Sequence, residues 1–541
     1  MLKLRSALFL IISLALLTSG VLAEDPTALI VEGEAVNGLP AGRIVTSINN
    51  PAANQDGGWA FNFNSDNGDN TISYLWGNAV GGPGNVIRSE GTFPPYQQNS
   101  FESFWGFGGG GVSCYSAISE NTETGATSLD GVWLDDTPVA VEEKEFPYLA
   151  NYWWSFGSRP GVTQDGVPYF VGGITDTQGG STDIRGLFYG ADASPVFLGG
   201  DSLPGLPAPL TANSSPSFDF RFSAFGTHYI CEVDMDTGSS TTDNAMVYDG
   251  EGLMIGGALV QEGTPMPASA GGLPGENWDN FDYTGVTEGG DYMFTGDTDG
   301  DTATDEYVLF NGAVIHREGD MLNGYTLSGS IESAFLNEDG DYGVIWDVDL
   351  PTGENVEALI FNGQVVLLEG DFVDTDGDGL PNADSFLTNF TGISTLVVAD
   401  RMDDNSVTLL FTADVSTPDP VPGPAEVAPA GEADGVDEAF EIEGTDEVVI
   451  EIGYALTFGG AVPVMLSEFL CDPQADGVHI TWRAFGDLDD HRFILRADNG
   501  DLAWDVPFTN EGGGRFATVD AAAVGDEVTY TLLIADADGH E

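Results

Sequence analysis

Two short acidic runs hold the residue types that could bind a metal. In "DTDGDGLPNADS" (374–385), Asp374, Asp376 and Asp378 alternate before Gly379, with the Leu380 carbonyl, Asn382 and Asp384 beyond. Oxygens at every second position around a glycine turn can wrap calcium, which takes about six to eight oxygen ligands. The twelfth position is Ser385 rather than the bidentate Glu of an EF-hand, and no helix is evident. In "DTDGDTATDE" (297–306), Asp297, Asp299, Asp301 and Asp305 offer a second and weaker calcium set. Nothing comparable supports catalysis. The five histidines stand in no H-E-x-x-H arrangement, and neither G-x-S-x-G nor a P-loop occurs. Paired carboxylates could hydrolyse a glycoside, but so acidic a chain supplies such pairs by chance. The expectation is a non-enzymatic protein with no catalytic residue assigned.

What positions these runs follows from composition and period. The chain has 541 residues, 42% hydrophobic, with 14 Lys+Arg against 87 Asp+Glu and a formal net charge of −73. Length and apolar content suffice for more than one domain. Nothing so acidic can neutralise phosphates, so nucleic acid is excluded as a partner, and an anionic membrane surface is equally unfavourable. Cations, glycans and proteins remain. Self-repulsion on this scale is relieved by bound cations or salt, and suits a saline habitat.

The first 23 residues form a secretory signal: Lys3 and Arg5, an apolar run from Ala7 to Leu17, and small residues at Val21 and Ala23 before Glu24. Cleavage is expected after Ala23, leaving no transmembrane segment and placing the protein outside the cell or on its surface. The three cysteines, Cys114, Cys231 and Cys471, have no metal-type spacing and are read as buried thiols rather than a disulfide.

The body of the chain is periodic. "NQDGGWAF" (54–61) recurs as "TQDGVPYF" (163–170), "SAFGTHYI" (223–230) and "NEDGDYGV" (337–344), and more loosely as "GGGGVSCY" (108–115), "VTEGGDYM" (286–293) and "NFTGISTL" (389–396). The aligned glycines, Gly57, Gly111, Gly166, Gly226, Gly289, Gly340 and Gly392, recur about every 56 residues. Each motif reads as a turn closed by a left-handed glycine. An aromatic strand precedes it, as in "NYWWSF" from Asn151, and a strand follows it. A third strand then ends in Asn-Gly or Asp-Gly ("YVLFNG", "ALIFNG", "AMVYDG"), and a fourth ends in Glu-Gly. Four antiparallel strands per unit make a propeller blade. The fold class is therefore all-β: a seven-bladed β-propeller, with the isolated strand 28–32 closing the ring and removing exposed edges. An open β-solenoid is the alternative. In this frame "DTDGDTATDE" joins second and third strands, as "DMDTGSSTTDN" from Asp234 and "DVDLPTGEN" from Asp347 do, so a polar turn outweighs a metal site there. "DTDGDGLPNADS" lengthens a connection between units, and calcium is preferred for it.

The repeats resemble the secreted bacterial tandem-repeat proteins defined by an NxxGxxAF motif, matched in full at Asn54, Gly57, Ala60 and Phe61. That resemblance covers about residues 28–412 and implies export and a repeat fold, with no activity to carry over. The 374–385 run is similar to the calcium loops of dockerin and thrombospondin type 3 repeats. Boundaries are drawn at 24–412 for the propeller, 413–446 for an acidic Pro/Ala-rich linker, and 447–541 for a small β-sandwich. The last segment resembles fibronectin type III domains, with Trp482 and Tyr530 at the expected core positions. Glu541 falls where a final strand of such a sandwich would begin. The function expected is binding or display of an extracellular glycan or protein ligand, stabilised by calcium. The alternatives are a polysaccharide hydrolase or lyase using central carboxylates, and a structural surface-layer component. Oligomeric state is not encoded in any motif.

Overall fold

The computed structural model describes residues 25–535 apart from 215–218, 392–394, 403–404, 419–446, 459–464, 475–476, 486–491, 499–502, 513–514 and 521–528. The signal segment and most of the acidic linker therefore lie outside the described residues. The fold is a seven-bladed β-propeller of four-stranded antiparallel sheets. Blade 6 shows the pattern: Tyr325–Leu336, Tyr342–Asp349, Asn355–Phe361 and Gln364–Leu368 pair in chain order. The first strands of blades 1 to 5 are Ile44–Ala53, Tyr96–Phe107, Trp153–Val162, Phe220–Phe222 and Trp278–Val286. Large side chains, among them Trp133, Trp278, Trp346, Phe61 and Phe170, are fully buried in clusters that span neighbouring blades.

Local chemistry explains the hairpins. Asn311–Gly312, Asn362–Gly363 and Asp249–Gly250 all have positive φ at both positions, the two-residue turn expected between third and fourth strands. In the motif turns, Gly57, Gly111, Gly166, Gly226 and Gly340 also take positive φ. Blade 5 differs by one residue: Gly290 (φ 84°), not Gly289, is the left-handed position, because the turn is closed between Thr287 and Asp291. Gly392 lies outside the described residues. The described turn of blade 7 falls later, between Leu396–Val398 and Val407–Pro418.

Blade 7 departs from the sequence boundaries in a second way. Glu447–Phe458, assigned from sequence to the C-terminal domain, pairs along its whole length with Val407–Pro418. The strand Thr27–Val31 then pairs with Glu447–Phe458, from Thr27↔Ala455 to Val31↔Ile452. Residues 413–418 are therefore strand rather than linker, and 419–446 connects two neighbouring strands of one blade. The composition change at 413 marks an insertion within a blade, not the end of the ring. Beyond 464, Met465–Gln474, Gly477–Phe485, Arg515–Asp520 and Thr509–Gly512 form one sheet, and Ala503–Val506, Arg492–Asp498 and Thr529–Ala535 another.

The motif asparagines do more than start turns. Asn54 Oδ1 accepts the N–H groups of Asp56 (3.0 Å) and Gly58 (2.8 Å), while its Nδ2 donates to Ala79 O (3.1 Å) in its own blade and to Gly108 O (3.0 Å) in the next. Asn337 repeats this, reaching Ala399 O of blade 7 at 2.9 Å. The residue after the motif's first position extends the cross-linking. Gln164 Oε1 accepts from Gln55 N–H (3.2 Å), and Glu338 accepts from Ala224 and Glu288 N–H, each at 2.6 Å. Glu338 N–H in turn donates to Asp400 at 2.8 Å. Contacts from blade 1 to 3 and from blade 4 to 6 skip a blade, so these side chains meet near the axis, over one mouth of the channel. Asn54→Ala is expected to leave four backbone groups poorly paired and to cost about 2–4 kcal/mol, read as a lower urea midpoint at unchanged slope. An unchanged midpoint, matching that of the exposed-site control Asp69→Ala, would show the motif asparagine to be dispensable.

Candidate functional site

All seven first strands contribute to one cavity on the axis, of about 180 Å³. Its walls include Asn50–Ala53, Phe104–Phe107, Arg159–Val162, Asp219–Arg221, Tyr283, Phe335 and Leu396. In each of the first six blades these residues immediately precede the motif turn, which fixes their depth. The strands are irregular here: pairing shifts register between Ile48 and Pro51, Phe101 and Trp105, Ser158 and Gly161, and Phe281 and Thr284. Bulges turn side chains toward the axis and free backbone N–H groups from the ladder. The preceding blade catches several of them. Glu451 accepts from Ile48 N–H (2.6 Å), Glu357 from Phe390 N–H (2.7 Å) and Ser73 Oγ from Phe101 N–H (3.1 Å).

Two guanidinium groups occupy the cavity. Arg159, at positive φ (47°) within its bulge, lies 4.2 Å from the Phe104 ring centroid and 4.0 Å from Asp219. Arg221 lies 4.6 Å from the Phe335 centroid, bridging blades 4 and 6. Burial pushes the Asp219 carboxyl up to about 6 although Arg159 opposes the shift, and Asp282 rises to about 6 through burial and the charge of Asp219. Burial also raises the Tyr283 phenol, whose O–H donates to Glu332 O. No local motif announced the arginines. Once the repeats are aligned, they stand four and two residues before motif starts, in a chain with few cations.

Of the first calcium set, three residues converge: carboxylate oxygens of Asp374, Asp376 and Asp378 lie within 4.8 Å of one another, Asp374 buried and the others exposed. Asp374 organises its own loop, accepting from the N–H groups of Asp376 (3.0 Å), Gly377 (2.9 Å) and Gly379 (3.0 Å). It also accepts from Ala28 N–H at 3.1 Å, and its backbone carbonyl accepts from Tyr454 OH at 2.9 Å. Asn382 is committed elsewhere, its Oδ1 accepting from Thr375 N–H (2.7 Å) and Oγ1 (2.9 Å), and Asp384 is exposed outside the trio. Leu380 donates its own N–H to Asp378. A metal ion could be held here by these three carboxylates.

The second set does not converge. Asp297 accepts from Asn280 N–H (2.9 Å), Asp299 from Asn277 N–H (2.8 Å) and Nδ2 (2.7 Å), and Asp301 from Ala303 N–H (3.3 Å). Asp305 closes the turn through its carbonyl, which accepts from Thr298 N–H. Among the described residues, the Asp374 trio is the one such metal-capable group. The 297–306 run is a turn that pins the second strand of blade 5 to its first.

The histidines in repeat strands have structural partners. His228 Nδ1 sits 2.6 Å from Asp249, and buried His316 Nε2 sits 2.6 Å from Tyr342 OH, with burial holding its pKa down at about 4. Cys114 and Cys231 are buried free thiols, raised by burial.

No family model matches the chain, and no curated protein matches it. Among solved structures it is similar to a Pyrococcus horikoshii acylaminoacyl peptidase (8% identity, TM-score 0.33), covering 82% of this chain and 58% of that one. It is also similar to a eukaryotic initiation factor (10%, TM-score 0.28; 83% and 90% covered). A third is a subtype N11 neuraminidase-like protein of A/flat-faced bat/Peru/033/2010 (10%, TM-score 0.26; 81% and 98% covered). At these scores the likenesses carry no functional argument.

Several half-buried carboxyls hold their protons above the ordinary carboxylate range. Burial, then neighbouring acids, lifts Glu306 to about 8 and Asp297 to about 6; burial lifts Glu357, Glu451 and Asp400 to about 7. The folded state keeps these protons to higher pH than the unfolded chain does, so folding takes up protons and stability falls as pH rises from the ordinary carboxylate range through 8. Thermal unfolding at low salt should come at a higher temperature at pH 5 than at pH 8, and Glu306→Gln should narrow the gap. Equal temperatures at both pH values would show these groups to be effectively solvated.

Proposed function

We propose that the chain is a secreted, non-enzymatic binding or display module, stabilised by calcium, that takes an extracellular glycan or protein ligand. The observation that carries this reading is the axial cavity. Its polar equipment is a pair of arginines on aromatic rings with one acid, two tyrosines, Asn50 and Thr284, and such a set recognises a ligand rather than activating a nucleophile. Export rests on the signal segment ending at Ala23, and membership of the NxxGxxAF repeat proteins rests on the turns described above. The C-terminal strands are read as a fibronectin type III-like sandwich that would extend the display surface.

In this proposal Thr27–Val31 is the clasp of the ring, supplying the outer strand of blade 7. Calcium would be held by Asp374, Asp376 and Asp378 beside that clasp, since Asp374 accepts from Ala28 N–H and Tyr454 of the neighbouring strand donates to it. The ion would offset the mutual repulsion of three carboxylates and lock the loop against the ring's seam.

A second reading, an extracellular polysaccharide hydrolase or lyase, is favoured by one observation. Asp219, with its carboxyl lifted to about 6 beside Arg159, could hold a proton near neutral pH as a general acid.

Thermal unfolding in calcium and in chelator tests the metal. At calcium 100-fold above its Kd the gain is about 2.7 kcal/mol, which should disappear in the Asp376→Ala/Asp378→Ala double variant and persist in Asp384→Ala and Asp301→Ala. No calcium shift in the parent protein would remove calcium from the proposal. A glycan array with parallel turnover assays on the same polymers tests the activity. Retention without turnover supports binding, turnover establishes the enzyme, and absence of both leaves the structural surface-layer component.

A further inference from the structure

Arg221 has no hydrogen-bond or ion-pair partner among the described residues, although it reaches across the axial cavity. Four other arginines of the propeller are held by fixed acceptors. Arg43 is fixed by Ser65 and Asn70, Arg88 by Asp135, Arg317 by Glu276 and the Thr304 carbonyl, and Arg401 by Asp341. Each of these anchors one loop or strand end. Arg221 stands in the cavity with its guanidinium held against Phe335, beside Arg159, which lies on Phe104 and pairs with Asp219.

An arginine stacked on a ring is restrained in orientation while the N–H groups along its edge remain able to donate. Those N–H groups match the two oxygens of a carboxylate, which a guanidinium can grip through parallel hydrogen bonds. The left-handed backbone at Arg159 points the same way. A non-glycine residue at φ 47°, inside a bulge of the innermost strand, is an uncommon conformation that aims this side chain toward the axis. The remaining walls are mostly apolar, including Phe220, Tyr169, Pro160 and Leu396, with Asn50, Asp219, Tyr283 and Thr284 as polar groups. A volume of about 180 Å³ is below that of pockets for drug-sized ligands, and it suits a single ring.

We infer that the axial cavity is a subsite for one acidic sugar residue, a uronate, whose carboxylate is held by Arg221 and Arg159, whose ring lies against the aromatic wall, and whose hydroxyls reach Asn50 and Asp219. The inference rests on the binding-module reading and gives it a ligand class. It also resolves an apparent conflict with a net charge of −73. Long-range repulsion of an anion is screened beyond about 10 Å at 0.1 M salt, whereas the contact with two guanidinium groups is short-ranged and partly desolvated.

The test is titration of the full mature chain with D-glucuronate and D-galacturonate, followed by calorimetry and by tryptophan fluorescence, with D-glucose, D-galactose and acetate as controls at 0.1 M salt. A uronate is expected to bind saturably and at least tenfold more tightly than its neutral sugar or acetate. Arg221→Gln and Arg159→Gln should each lose tenfold or more, with unfolding temperature and circular dichroism unchanged, and Arg221→Lys should be intermediate because a lysine cannot make the paired contact. Equal binding of uronate and neutral sugar, or full binding by Arg221→Gln, overturns the acid subsite and leaves the binding module standing. Absence of binding by every probe also overturns it, and the binding module is then judged on the glycan array alone. Should either Gln variant unfold, Arg221→Lys and the uronate-to-sugar ratio of the parent protein still decide.

Discussion

Seven strands cannot converge on one axis and remain regular. The innermost strand of a blade must bend, and here it does so at bulges that detach backbone N–H groups from the sheet. A buried N–H without a partner costs about as much as a lost hydrogen bond. The solution is to take the partner from the blade before: Glu451 for Ile48, Glu357 for Phe390, Ser73 for Phe101. Cohesion between blades is thus built into the device that lets each blade curve, and it needs acceptors at the head of the third strand. Part of the chain's acidity is structural in this sense. Its consequence is a set of half-buried carboxyls that repel one another and hold protons into the neutral range.

Against that background the scarce cations become informative. Most of the propeller's arginines are committed to fixed acceptors; Arg401, for one, grips buried Asp341 through two nitrogens, each at 2.9 Å. For Glu306, Glu357 and Glu451 burial, reinforced by neighbouring acids, is what holds the proton to higher pH. Arg221, at the axis without such an acceptor among the described residues, is out of keeping with this economy, and it shares one cavity with Arg159, which pairs with Asp219.

Repeat period, strand count per unit and Asn-Gly turns were legible in the sequence because each depends on local backbone chemistry. Asn311, Asn362 and Asp249 at positive φ before glycine are the clearest cases. What depends on tertiary pairing was not legible. In blade 5 the two adjacent glycines 289 and 290 satisfy the same pattern, and only closure by Thr287 and Asp291 selects the second. In blade 7 an insertion separates two paired strands, so composition suggested a domain boundary where the ladder continues. The acidic run at 374–385 supplied three converging carboxylates of six expected ligands, since Asn382 is drawn away by Thr375. Arg159 and Arg221 come from different strands at different offsets, and only the ring brings them together.

The seam of blade 7 joins three segments that are remote in sequence: Thr27–Val31, the loop that begins at Asp374, and Glu447–Phe458. Loop closure over such distances carries an entropic cost that grows only slowly with length, so the insertion at 419–446 is tolerated if the strands it separates pair well. They pair over twelve residues, from Val407↔Phe458 to Pro418↔Glu447. The outer strand is shorter, and its start depends on one buried carboxylate whose two oxygens already serve four N–H groups. Asp374 is anchored by that backbone, while Asp376 and Asp378 remain exposed with charge to be compensated. A divalent ion held among them would therefore act on the loop's repulsion rather than on its hydrogen bonds, and through Asp374 it would favour the docked position of the outer strand. Cation binding at the loop and seating of that strand would then be two sides of a single equilibrium.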